Sequence, residues 1–307
     1  LSVALVGFLQ DAWPELNTHA GIILVVLAMG AIAAWGIGQS VGVVTAITVL
    51  EVGALIYVLA VNGDAFAKLP ERFGEMLPGS VSESGAGGWV GMLGAAFLAF
   101  YAYIGFEDMV NMAEEVKDSR RTLPKAILIS VLVAAVIYVL IAMVAVLTVP
   151  IDKLAASKTP LAELVTGTGW WSTTGIWIVS MLAGVNGALV QIIMGSRVAY
   201  GMARKEQAPA FLGVVNPVTR TPIRATTLVI LIILLLALFL PLTTLAQITS
   251  SILLLVFVAV NLSLWRIKGV EPAPPEEGLV CFPRWLPLVA GLVTLGVFAA
   301  KILQMFG

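Results

Sequence analysis

Runs of about 20 apolar residues recur along the whole chain, and about 20 helical residues are what it takes to cross the hydrocarbon core of a bilayer. The runs lie at 20–36, 41–61, 89–112, 126–149, 175–201, 225–240, 243–264 and 285–305, with Leu1–Leu9 as a partial one. They are continuous rather than alternating, so they fit helices and not barrel strands, because a lipid-facing backbone must satisfy its own hydrogen bonds. The expectation is an all-α, polytopic membrane protein whose residues 1–307 form one transmembrane domain of about eight full helices and a partial one.

Composition agrees. Hydrophobic residues make up 60% of the chain and charged residues 11%, against about 25% charged in a soluble domain, and the mean hydropathy is +1.02. A net charge of −1 offers no basic field for nucleic acid. Cys281 is the one cysteine and His19 the one histidine, which excludes an internal disulfide, a thiol–imidazole pair and a His/Cys metal site. No phosphate-binding or dinucleotide glycine pattern occurs, so no cofactor is expected.

Charge distribution sets the orientation. Twelve of the 17 Lys and Arg residues fall in one set of alternate loops: Lys117, Arg120, Arg121 and Lys125; Arg197, Arg204, Lys205, Arg220 and Arg224; and Arg266, Lys268 and Arg284. These loops are assigned to the cytoplasm, where they also meet anionic lipid. The expected location is the cytoplasmic, or inner, membrane. On the outer side, Asn62–Gly88 reads as a polar loop, and Ile151–Trp171 as a helical excursion along the surface. Trp13, Trp170, Trp171 and Trp285 suit interfacial belts. No soluble domain interrupts the helices, which disfavours a receptor or sensor kinase and leaves transport or conduction.

The segment WVGMLGAAFLAFYAYIGFEDMVNMAEEVKDSRRTLPK, from Trp89 to Lys125, breaks the pattern. Aromatic Phe100, Tyr101 and Tyr103 crowd Ala102, Gly105 interrupts, and Glu107 and Asp108 follow while the apolar pattern still runs. Glycine in mid-span lets the backbone unwind and frees N–H and C=O groups that need partners. A polar substrate is one such partner, held by the dipoles of the half-helix ends. A plain helix crossing with Glu107 near its cytoplasmic end is the alternative. Glu51 lies near the centre of the 41–61 run, where a charge costs about 3 kcal/mol on insertion scales. It is either a proton carrier or a neutral group hydrogen-bonded between helices.

FYAYIGFEDMVNMAEEVKDSRRTLPKAI resembles the sixth-helix signature of the amino acid–polyamine–organocation superfamily: an aromatic–small–aromatic–x–Gly–aromatic–Glu core, a Glu-Glu pair and a basic, proline-containing inner loop. Gly184–Pro209, with Asn186, Ser196, Arg197 and GMARKEQAP, is similar to its eighth helix and the following loop, and TPIRATTL from Thr221 to the entry of the ninth. The resemblance implies a secondary transporter of amino acids or related amines, proton-coupled or exchanging, with part of an inverted-repeat, LeuT-like fold and working by alternating access. It places substrate on Tyr101, Ala102, Tyr103, Ile104 and Gly105, with Asn186 and Ala188 on the facing eighth helix. It makes Glu107 a gating or coupling carboxylate, while the coupling role of Glu51 rests on its place in the 41–61 run. Some proton-coupled relatives carry a lysine near position 51, and some carry an aromatic near position 188.

In this register helices one and two, most of three, and twelve have no counterpart. The unwound part of helix one, which the resemblance implies receives the substrate carboxylate, is then absent, and the 307 residues alone are expected to be inactive. An intramembrane enzyme is the competing class, but Glu107 and Asp108 point about 100° apart on a helix and make a poor catalytic pair. A channel would need a filter loop, and none is evident.

Overall fold

A computed structural model describes residues 1–35, 41–76, 85–111, 116–270 and 282–306. The Glu114–Glu115 pair and Cys281 lie outside the described residues, as do the side chains of Asp108, Trp170 and Trp171.

Among the described residues every regular element is helical. In chain order these are α1 (Ser2–Ala12), α2 (Thr18–Trp35), α3 (Val41–Val61), α4 (Leu69–Arg72), α5 (Gly85–Tyr101), α6 (Asp108–Asn111), α7 (Ser119–Thr148), α8 (Ile151–Ala156), α9 (Pro160–Glu163), α10 (Trp170–Arg204), α11 (Ile223–Phe239), α12 (Leu242–Val270) and α13 (Trp285–Phe306). Short 3₁₀ turns cover Gly63–Lys68, Phe73–Met76 and Ala210–Gly213.

Five of these helices are long and apolar enough to cross a membrane, and a sixth span arises if α3 and the helical residues after it, bent by 54°, are taken together. Two expected spans fall short. The 89–112 run ends as a helix at Tyr101, because Gly105 adopts φ +124°. The 225–240 run gives a 17-residue helix bracketed by Pro222 and Pro241, and at 1.5 Å per residue it reaches about 25 Å. The expected outer loop from Asn62 is partly helical: the Asn62 side chain donates to Val58 O at 2.9 Å and Leu164 O at 3.0 Å, closing α3 before the 3₁₀ turn begins. The 151–171 excursion contains α8 and α9, joined by the Lys153–Glu163 ion pair at 2.6 Å.

The chain falls into two compact units: Leu1–Pro70 with Val139–Leu242, and Glu71–Tyr138 with Thr243–Gly307. In the first, α1, α2, α10 and α11 share a core of Leu5, Met29, Ala33, Ala188, Leu189 and Ile192, adjoining Val6, Ile22, Val26 and Ala237. Glycines permit the close crossings. A Cβ on Gly30 would lie 2.3 Å from Ile230 Cδ1, and one on Gly184 2.7 Å from Leu5 Cδ2. Asn17 Oδ1 accepts from the backbone N–H of His19 and Ala20 and caps the start of α2. At the other end of α2, the Thr221 hydroxyl donates to Ala34 O at 2.8 Å, satisfying a terminal carbonyl and fixing the entry to α11. In the second unit α5 packs on α13, with Phe97 buried and Lys301 Nζ 5.6 Å from its ring centroid. Large apolar side chains such as Leu132, Leu231 and Leu292 are more than half exposed, the outer face a bilayer would cover.

Candidate substrate segment and intrahelical carboxyl

The break after α5 is built residue by residue. Up to Tyr101 the helix is made of small and aromatic apolar residues. The next three amides reach back three residues instead of four: Ala102 N–H to Ala99 O at 3.0 Å, Tyr103 N–H to Phe100 O at 3.0 Å and Ile104 N–H to Tyr101 O at 3.3 Å. Such tightening is how helix ends dispose of orphan groups. Gly105 then turns with φ +124°, a conformation open to glycine at little cost. Its N–H donates to Glu107 Oε2 at 2.8 Å. The chain resumes a short helical stretch at α6 after Phe106 O and Glu107 O accept from Met109 and Val110.

Neighbouring helices of the same unit hold this break. From α7 the Tyr138 hydroxyl donates to Ala102 O at 3.2 Å, while its ring meets Tyr103 edge to face at 5.3 Å between centroids. From α12 Phe257 stands edge-on to Phe100 at 6.0 Å and tilted against Phe106 at 5.7 Å, bracketing the break on both sides. Tyr138 and Phe257 were not among the residues expected from sequence. Each sits in the middle of an ordinary apolar run, and only their contacts single them out.

The second candidate group lies in the other unit. α3 packs along α10, and the Asn186 side chain hydrogen-bonds the Glu51 carboxyl. Glu51 Oε1 and Asn186 Oδ1 are both buried and without a hydrogen-bond partner. The two helices are also tied by Tyr57 and Ser172, whose hydroxyls lie 2.7 Å apart. Asn186 therefore faces Glu51. Ala188 is 4% exposed and packs with Leu5, Met29 and Ile192. The expected residues thus form two groups, Tyr101–Glu107 in one unit and Glu51 with Asn186 in the other. No cluster of His, Cys, Asp and Glu able to hold a metal occurs among the described residues.

Described residues that are helical in every regular element, with five helices of membrane length and a shorter apolar one, α5, ending in a break at a glycine, define a polytopic membrane protein. Residues 2–307 match the family model described as amino acid permease, and the chain belongs to that family, one of transporters and not of enzymes. Among curated relatives it is 29% identical to "Cationic amino acid transporter 4, vacuolar" of Arabidopsis thaliana, over 81% of this chain and 41% of that protein. It is 26% identical to the branched-chain amino acid permease BcaP of Lactococcus lactis subsp. cremoris, over 92% of this chain and 62% of the relative. The methylthioribose transporter of Bacillus subtilis matches at 23%, over 89% and 57%. The chain thus spans about half the length of the curated relatives it matches.

Proposed function

We propose that this chain is the translocating core of a secondary transporter that moves an amino acid or related amine across the cytoplasmic membrane by alternating access, as one transport domain. The observation that carries the reading is the broken helix at Tyr101–Glu107. Its amides reach back three residues, its glycine takes a positive φ, and its carbonyls lie at the negative end of the α5 dipole, where a cationic group is favoured. Tyr101 to Gly105 supply the substrate surface, and Glu107 orders the break. Small and aromatic side chains here place no fixed charge of their own on the substrate side chain, in keeping with relatives named for both cationic and branched-chain amino acids.

Glu51 is the coupling group, with Asn186 as the neighbour that holds it. A half-buried carboxyl within an apolar helix, with one oxygen buried and unpartnered, has its hydrogen bonding incomplete, and a charge in such a span is costly. Binding and releasing a proton changes both. Transport is therefore proton-coupled, with exchange of one substrate for another as the mode when no gradient is present.

The test is uptake by the intact permease in liposomes. The panel is labelled lysine, arginine, leucine, isoleucine and methylthioribose, with and without an inward proton gradient, comparing wild type with Glu51→Gln. Substrate-specific uptake that the gradient accelerates, and an acceleration that Glu51→Gln abolishes, is the expected result. Uptake of no amino acid, by net flux or by exchange, overturns the reading.

A further inference from the structure

Two backbone groups flanking the break are already engaged, and by side chains of opposite character. The Ala102 carbonyl accepts the Tyr138 hydroxyl at 3.2 Å, and the Gly105 N–H donates to the Glu107 carboxylate at 2.8 Å. The carbonyls of Ala99, Phe100 and Tyr101 are used by the amides of the tightened turn. Ala102 O is the next one along, at the negative end of a half-helix, and its partner comes from a different helix. Neither group is sealed in a core: Ala102 is exposed and Tyr138 is 39% exposed.

The two contacts differ in how readily a ligand could replace them. Glu107 is a charged acceptor two residues from its donor, and an incoming carboxylate offers nothing stronger. Tyr138 is a neutral O–H on a carbonyl that favours positive charge, and hydrogen bonds from a charged donor are roughly twice as strong as neutral ones. A primary ammonium placed at the same carbonyl would win.

We propose that the Tyr138 hydroxyl is a displaceable occupant of the Ala102 carbonyl: it keeps the empty break ordered and yields to the substrate's ammonium group, so it sets how tightly amines bind. This rests on the transporter reading above. Tyr138 is then a positioning residue whose hydroxyl competes with substrate instead of contacting it. Removing the hydroxyl raises affinity, the reverse of what removing a substrate contact would do.

Tyr138→Phe keeps the ring against Tyr103 and removes only the donor. In the intact permease, the concentration of amino acid giving half-maximal uptake is expected to fall about two- to tenfold, the size of one ordinary hydrogen bond's net contribution. Without substrate, the amides of residues 102–104 are expected to exchange hydrogen faster in the variant. n-Butylammonium, which has the ammonium and lacks the carboxylate, is expected to slow that exchange at lower concentration in Tyr138→Phe than in wild type. Unchanged or weakened half-saturation in a variant that still transports overturns the proposal. If wild type transports no amino acid, the transporter reading fails on its own, and the butylammonium measurement still decides this one. Equal protection in the two proteins overturns it, and stronger protection in the variant supports an ammonium site at Ala102.

Discussion

At the scale of single residues, Gly105 and Glu107 act as one device. The glycine permits φ +124°, and the carboxylate two residues on takes up the N–H that this turn exposes. A Cβ at position 105 meets no atom within 4 Å, so the penalty for a larger residue comes from backbone conformation and not from crowding. Holding an alanine in such a conformation costs of order 1–3 kcal/mol, and the alternative open to it is a negative φ that lets α5 run on. Gly105→Ala is accordingly expected to fold and insert, with unchanged helix content or slightly more, and to lose at least about tenfold in uptake, the equivalent of about 1.4 kcal/mol. Wild-type uptake by this variant would show that the break does not depend on a positive φ. Position 105 was legible in the sequence as a glycine in mid-span. The identity of its partner was not, since a carboxylate at 107 is as easily a solvated helix end as a cap.

Elements pack here through glycine. Gly30 on α2 lies so close to Ile230 on α11 that an added Cβ would fall 2.3 Å from Cδ1 and 2.8 Å from Cγ1. Gly30→Val is therefore expected to lose the stability that overpacking costs, about 1–3 kcal/mol, seen as a lower melting temperature. Ile230→Ala leaves a cavity and is destabilising alone, yet the double variant is expected to recover part of both losses. A double-mutant cycle on thermal unfolding in detergent reads this out, and strict additivity would refute the contact. The sequence displays Gly30 as one small residue among many in an apolar helix. Nothing in the periodicity of α2, which is apolar on all sides, says which face meets α11, and a helix hydrophobic all round carries no directional signal. The same blindness hid Tyr138 and Phe257. It also hid the pairing of Asn186 with the carboxyl of Glu51 across the α3 and α10 packing.

For the whole molecule, the positive charges predict which loops face the cytoplasm, and chemistry at single sites can check it. With Cys281 replaced by serine, cysteines at Lys153 and at Arg121 are expected to label from opposite sides of sealed cells with an impermeant maleimide, the first from outside and the second only after lysis. Labelling of both from outside would overturn the assigned topology. The amino-acid order alone determined the all-helical class, the membrane as solvent, the place of the broken helix and the family, because each rests on local properties: run length, charge bias, a glycine within an apolar stretch, a motif. Tertiary structure alone decided that two expected spans are shorter than the runs suggested, that Ala188 packs in a core, and that Glu51 is held by Asn186. It alone decided, too, that the break is filled by Tyr138 and Glu107. These depend on which helix faces lie together, and in apolar helices of nearly uniform composition that is settled by side-chain fit and hydrogen bonding between residues as far apart in sequence as Ala102 and Tyr138.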